Sequence, residues 1–367
     1  MTPLRIGKTE ISLPHFLLAH LIGAAGGFAA RALHLPLPML LGSLLAVGAV
    51  AVAGLKPLGR PVHAPPLLRL FFIPVIGLAI GGTFTPEVLN EAPQWIPSLL
   101  ALCLFLPIAH AMGYAIFRHA GGLDPATAWF GSVPGGLIES VLMGEEAGAD
   151  SRMLTMLQFL RLILTIIVVP LAFTLLSGHA VGSAGGASLG GRAPLGIADV
   201  ALLAAAGVSG FFIARWLRLP AYAITGPIVM SSLAHLFGLT QAVPPAWMVT
   251  ATQLVVGTSL GARFAGLPRG AFSTALRLAF LNMLSALALA LAFAFALHGL
   301  VGERAGAVFL AFAPGGLIEM GLIALSMKIS VIYVTGHHVA RILLSVTLAR
   351  ALWPRIRRTA ANDDARP

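Results

Sequence analysis

Apolar residues in this chain fall into long runs, and polar residues are confined to the gaps between them. A bilayer crossing needs roughly 17–25 mostly apolar residues in helical form. The pattern predicts crossings over 15–33, 37–55, 67–84, 96–117 and 154–176, then over 197–215, 220–239, 247–264, 277–300 and 331–352. Two further stretches, 126–145 and 306–326, are apolar but interrupted by Pro-Gly-Gly. The segment 177–196 is rich in Gly, Ser and Ala and reads as a linker.

The two halves echo each other. Pro134-Gly135-Gly136-Leu137-Ile138-Glu139 returns as Pro314-Gly315-Gly316-Leu317-Ile318-Glu319, 180 positions later. At the same offset Gly77, Gly81, Phe84 and Arg161 match Gly257, Gly261, Phe264 and Arg341, while Arg31, Pro36 and Gly42 match Arg215, Pro220 and Gly226 at an offset of 184. Small residues every four positions also serve close helix packing in lipid. Six identical residues built around a proline, present twice, point instead to duplication. The expected fold is an all-α polytopic membrane protein of about ten transmembrane helices in two inverted five-helix repeats, each with a Pro-Gly-Gly re-entrant or broken helix. The expected division is a first repeat with its N-terminal tail (1–176), the linker (177–196), a second repeat (197–352) and a basic tail (353–367).

Composition supports lipid as the main solvent: 58% of residues are hydrophobic and 10% charged, against about 25% charged in a typical soluble domain. The net charge of +10 raises direct nucleic-acid binding. However, the basic residues sit in short loops (Lys56, Arg60, Arg69) or in the tail (Arg355, Arg357, Arg358) and form no soluble face. If all twelve apolar stretches cross, 13 Lys/Arg fall inside and 8 outside; if the Pro-Gly-Gly stretches return to their side of entry, 17 fall inside and 4 outside. The positive-inside rule favours the second arrangement, with both termini cytoplasmic. Trp95, Trp216, Trp247 and Trp353 lie at crossing ends, where amphipathic rings prefer the interface. The single cysteine, Cys103, lies in an apolar run and forms no disulfide framework. The basic N-terminal stretch with Arg5 and Lys8 leads straight into successive apolar runs, against a cleaved signal peptide.

Ionisable residues inside the membrane mark function by default. Glu139 and Glu319 are the carboxylates placed well inside it, each followed 22 positions later by an arginine, Arg161 and Arg341. Pro134, Gly135, Gly136, Pro314, Gly315 and Gly316 would open the backbone near mid-membrane, leaving carbonyls and helix ends for an ion or substrate. The glutamates would then take a cation or proton, and the arginines an anionic group. The alternative is that each Glu pairs with its Arg and pins the interrupted segment. Gln158 and His338 occupy equivalent places, three residues before the arginines, and join the candidate binding set. Ser132, Ser140, Thr83, Thr85, Thr258 and Ser259 are supporting polar residues, although such hydroxyls routinely bond their own helix backbone. His110, His235 and His298 are isolated; His337 and His338, adjacent on a helix, point about 100° apart and make a poor shared metal site. No metal, cofactor, catalytic triad or phosphate loop is implied.

The paired Pro-Gly-Gly-Leu-Ile-Glu segments and the stretch Leu35 to Gly42 resemble the AbrB-duplication membrane proteins of Gram-negative bacteria, over about residues 15–352. Members carry the labels ammonia monooxygenase or regulator of gene expression. The first label finds no metal-ligand cluster here, so no enzyme is expected; the second would act only indirectly, through a partner. The deduced plan also looks like that of citrate and glutamate sodium-coupled symporters, an analogy of architecture with a different glycine pattern. The expectation is a multi-pass protein of the bacterial inner membrane. It would be a secondary transporter of a small, anionic solute, with regulation of gene expression as the alternative. Transporters of this plan often dimerise, so a homodimer is compatible with it.

Overall fold

A computed structural model describes residues 4–6, 9–11, 13–64, 66–84, 90, 92–177, 195–219, 221–266, 269–327 and 329–364. Most of the expected linker, and Thr85, lie outside the described residues. The chain opens with a two-stranded antiparallel ribbon, β1 Leu4–Ile6 and β2 Thr9–Ile11. This small departure from the all-helical expectation follows the period-2 alternation of Leu4-Arg5-Ile6 and Thr9-Glu10-Ile11.

The first half then runs through α1 Leu13–Ala32, α2 Pro38–Val52, α3 Pro66–Gly81, α4 Ile96–Ala115, α5 Pro125–Gly131, α6 Leu137–Glu146 and α7 Ser151–Ser177. The second runs through α8 Ile197–Trp216, α9 Tyr222–Leu236, α10 Ala246–Ala262, α11 Arg269–Val301, α12 Ala305–Phe312, α13 Leu317–Ser326 and α14 Val331–Asp364. Each of the ten expected crossings coincides with a helix. Among the described residues, six helical segments are long and apolar enough to cross a membrane: Leu13–Ala32, Ala92–Ala120, Ser151–Leu176, Ile197–Trp216, Gly270–Val301 and Val331–Arg358. By that measure this is a multi-pass membrane protein. The helices at the other four expected crossings, α2, α3, α9 and α10, have 15 to 17 residues. At 1.5 Å per residue such a helix spans roughly 22–26 Å, short of the ~30 Å hydrocarbon core. The tail does not leave the helix: α14 continues past Trp353 to Asp364.

Two compact units divide the chain. One holds α1, α2, α3, α8, α9 and α10; the other holds α4, α5, α6, most of α7, α11, α12, the start of α13 and nearly all of α14.

In the first unit α1 packs on α2 and α8 on α9, while α10 lies against α2 and α3 against α9. α1 and α8 turn mainly small residues inward and several large apolar ones outward. On α1, Ala19, Gly23, Gly27 and Ala30 are buried while Leu21 and Phe28 are exposed. On α8, Ala206, Gly207, Gly210 and Ala214 are buried while Phe212 and Trp216 are exposed. Lipid tails solvate the outward Leu and Phe as well as a core would, so close backbone contact takes over the role of holding helices together. Gly26 and Gly42 face each other so closely that a Cβ on either would strike the other's carbonyl, and Gly210 and Gly226 repeat the contact. The entries to α2 and α9 match too. Leu37 and Ala221 are left-handed N-caps with φ of 43° and 50°. Three residues earlier, His34 and Arg218 are left-handed as well, with φ of 54° and 55°.

In the second unit α11 runs beside α4 and α12, and α5 packs on α4 and α6. Phe105, Phe293 and Phe312 interlock there with ring centroids 5.1–5.5 Å apart. A second cluster gathers Trp129, Phe130, Val133, Leu154 and Ala349.

The close glycine contacts make a direct test. Gly42→Leu and Gly226→Leu should each destabilise the protein by about 1–3 kcal/mol or more through overpacking. Gly270→Leu, where an added Cβ would meet nothing within 4 Å, should melt like the native protein. Thermal unfolding of the purified proteins in detergent reads all three.

Candidate functional site

The site is built around two helix breaks in the second unit. α5 starts on Asp124, whose carboxylate accepts from the Thr127 N–H at 2.9 Å, and ends after two turns at Gly131. Pro134 has no N–H to continue the ladder. Gly136 then adopts φ 68°, a left-handed conformation that glycine reaches without steric penalty, and caps the start of α6. In the second half α12 ends at Phe312, Ala313 turns extended (ψ 140°) ahead of Pro314 as the proline ring requires, and α13 starts at Leu317.

A helix that ends inside an apolar unit leaves carbonyls without partners, each a loss of several kcal/mol in hydrocarbon. Side chains from the following long helix supply the donors. Gln158 on α7 donates its amide to the carbonyls of Phe130, Gly131 and Val133 at 2.8, 3.0 and 3.2 Å. Arg161 donates Nη1 to the Val133 carbonyl at 2.5 Å and Nη2 to Gln158 Oε1 at 2.9 Å. On α14, His338 Nε2 meets the Leu310 carbonyl at 2.9 Å. Arg341 donates Nη1 to the Ala313 carbonyl and Nη2 both to the Gly315 carbonyl at 2.5 Å and to His338 Nδ1 at 2.9 Å. All four side chains are buried.

Each loop also rests on the long helix of the other half. Gly135 lies against Arg341, Ile342 and Ser345 of α14, Gly136 against Val346, and Gly316 against Leu162 of α7. Trp129 ties α5 to α14 by donating its indole N–H to the Ala349 carbonyl at 3.0 Å. The two Pro-Gly-Gly segments, Arg161, Arg341, Gln158 and His338 therefore lie within one unit.

The carboxylates sit elsewhere than in arginine pairs. Glu139 and Glu319 occupy the third position of α6 and α13, folded back against Gly136 and Gly316. A helix N-terminus carries partial positive charge and favours an anion there. Glu319 is buried and Glu139 half-buried. The hydrogen bonds of both arginines run to carbonyls, Gln158 and His338, so the arginines clamp the breaks directly and not through the glutamates. The opened backbone was expected to leave carbonyls for an ion; those of Val133, Ala313 and Gly315 are held by the arginines. Among the described residues, Arg161 Nε, Arg341 Nε and Ser345 Oγ are buried without a hydrogen-bond partner.

The supporting hydroxyls behave mostly as backbone binders: Ser132 donates to Trp129 O, Thr83 to Ile80 O and Ser140 to Gly135 O. Thr258 and Ser259 lie in the other unit, Thr258 against Gly23. His110 meets the Trp129 carbonyl at 2.9 Å and stacks on the Trp129 ring. His235 bonds Ser231 O and Ala242 O, and His298 Phe295 O. His337 pairs with Ser98 at 2.8 Å. Sequence reasoning overlooked Ser345 and its counterpart Thr165, which donates to Arg161 O at 2.8 Å. The available signal was a hydroxyl four residues after each arginine.

The clamp assignment separates the two kinds of polar residue. Gln158→Leu orphans the Phe130 and Gly131 carbonyls and should cost about 1–3 kcal/mol for each. Glu139→Gln exchanges one helix-terminal acceptor for another and should stay within about 1 kcal/mol of the native protein. Equal losses in both, read by thermal unfolding, would defeat the assignment.

Comparison with known proteins gives this arrangement a family. The family model described as "Transition state regulatory protein AbrB" matches residues 49–357. A Bacillus subtilis (strain 168) protein named as uncharacterized, YhjN, is 24% identical over 293 residues, 75% of this chain and 74% of its own. An Escherichia coli (strain K12) protein whose name, regulator AbrB, is provisional is 25% identical over 298 residues, 80% of this chain and 82% of its own. With the family model matching most of the chain, helix breaks and clamps included, this protein belongs to the AbrB family.

Proposed function

We propose that this protein is a secondary transporter of a small anionic solute, with its binding site beside the two Pro-Gly-Gly breaks. The observation that carries this reading is the state of Arg161 and Arg341. Both guanidiniums are buried, and their hydrogen bonds go to neutral groups. Each also keeps an Nε donor without a partner among the described residues. A buried charge is stabilised by an opposite charge, and a solute carboxylate or oxyanion supplies it in the form arginine binds best.

The architecture behind the proposal is two inverted five-crossing repeats whose breaks dip into the membrane and return. Matching features at fixed offsets support the duplication: the left-handed pairs His34/Leu37 and Arg218/Ala221, the contacts Gly26–Gly42 and Gly210–Gly226, and the clamps at 158/161 and 338/341. The positive-inside count supports cytoplasmic termini in a bacterial inner membrane. A second reading, a membrane-embedded regulator acting through a partner, is favoured by the family's description and the provisional name of the Escherichia coli relative.

The discriminating measurement is thermal unfolding of the purified protein with nitrate, sulfate, phosphate, acetate, succinate, citrate or glutamate, as sodium and potassium salts. A bound anion at a hundred times its Kd adds about 2.7 kcal/mol of stability. The expected result is a rise with at least one anion that vanishes in Arg161→Ala or Arg341→Ala, followed by flux of that anion into proteoliposomes. No rise with any anion, together with capture of a transcription factor or kinase by the intact protein, would transfer the case to the regulator.

A further inference from the structure

The two clamps are built alike but from different chemistry. In the first, Gln158 Oε1 accepts from Arg161 while the Gln158 amide donates to carbonyls. In the second, His338 stands between Arg341 and the Leu310 carbonyl. Arginine only donates and a carbonyl only accepts. The imidazole tautomer is therefore forced: Nε2 carries the hydrogen and Nδ1 presents its lone pair. Neutral His338 and Gln158 are thus equivalent, one acceptor towards arginine and one donor towards the broken helix. They differ in one property, since imidazole takes up a proton in the physiological range and an amide does not.

We propose that His338 carries a proton that accompanies the anion, making the transporter proton-coupled; this rests on the anion-transport reading above. A proton from the solution adds to the Nδ1 lone pair. Nδ1–H and the Arg341 Nη2–H are then both donors, so the hydrogen bond between them breaks. Both become available to an anion's oxygen atoms, beside the unpartnered Arg341 Nε. The bond from Nε2–H to the Leu310 carbonyl is kept in both states, so α12 stays capped. When the anion leaves, the proton leaves Nδ1 and the Arg341 bond re-forms. Gln158 cannot follow this cycle, and the first break keeps a fixed clamp.

The neighbouring cations oppose a proton on His338 until an anion is present. Arg341 and His337 on α14 act on His338 electrostatically, and Arg161 on α7 acts on Arg341. α12, across the Leu310 contact, carries no titratable side chain between Ala305 and Phe312. His110 on α4 is held by the Trp129 carbonyl. Glu139 and Glu319 lie against Gly136 and Gly316 at the starts of α6 and α13. An imidazolium among these cations needs the anion, and the anion gains from the imidazolium. Linkage makes the coupling reciprocal.

The test counts protons. Nitrate, phosphate, succinate or citrate is added to the intact purified protein in weakly buffered detergent solution with a pH indicator, against a protein-free blank. Binding is followed in parallel by thermal unfolding. The expected result is uptake of about one proton per anion bound, and an affinity at least about fivefold higher near pH 5.5 than near pH 8. In His338→Gln the uptake should vanish and the affinity should lose its pH dependence; in Gln158→His the uptake should rise to about two. Anion binding without proton uptake in the native protein, or with undiminished uptake in His338→Gln, overturns the proton assignment and leaves the anion site standing. Absence of binding by every anion overturns the anion site itself, and the coupling with it. Should His338→Gln fail to fold, the native count and Gln158→His still decide.

Discussion

A peptide carbonyl buried in an apolar interior has no water to turn to, and the second unit depends on how this protein meets that constraint twice. Stopping α5 at Gly131 and α12 at Phe312 leaves a cluster of acceptors at each end. The chain answers with side chains three residues apart on one face of the next long helix, Gln158 with Arg161 and His338 with Arg341. The breaks, the clamps and the cross-packing of each loop on the other half's long helix are consequences of the same need. Once the carbonyls are held, Gly136 is free to reverse the chain into α6, and the glutamates settle at the new helix starts.

The first unit follows a different rule: α1, α2, α3, α8, α9 and α10 run without a loop break, although α3 and α9 carry Pro74 and Pro227 inside. What remains to be decided is how closely they approach. Glycine pairs at Gly26–Gly42 and Gly210–Gly226 settle this by letting backbone meet backbone, while Leu21, Phe28 and Phe212 face outward at no loss. Short helices are a corollary. α2 and α9 begin only after left-handed residues at Leu37 and Ala221, and such an entry consumes positions that hydropathy alone assigns to a crossing.

Helix positions were largely legible because apolar run length is a strong signal in lipid; every expected crossing has its helix. The ends were less so, since hydropathy does not register a left-handed cap such as Leu37 or Ala221. The β1–β2 ribbon escaped notice because three-residue alternation is too short to stand out beside runs of twenty. At the site, the repeat singled out Arg161, Arg341, Gln158 and His338, and these residues do converge on the breaks. Their partners were not legible. The sequence offered solute or ion binding, with Glu–Arg pairing as the alternative, yet the nearer demand came from backbone carbonyls, which have no sequence signature. Ser345 stayed hidden because its significance depends on Gly135 lying against it from the other half.

Capping alone does not account for Arg161. Gln158 already reaches the carbonyls of Phe130, Gly131 and Val133 with a single neutral amide, and Arg161 then takes Val133 a second time. A charged group is the more expensive way to cover an acceptor in an apolar interior, since its desolvation is the larger loss. If satisfying the break were the whole task, glutamine at 158 with an apolar residue at 161 would come close to doing it. In the matching half His338 holds Leu310, and Arg341 holds the carbonyls of Ala313 and Gly315. At the first break, where a neutral donor goes so far, a retained positive charge is understandable when the charge itself is used. On the transport proposal, that use is to receive a negative charge that comes and goes.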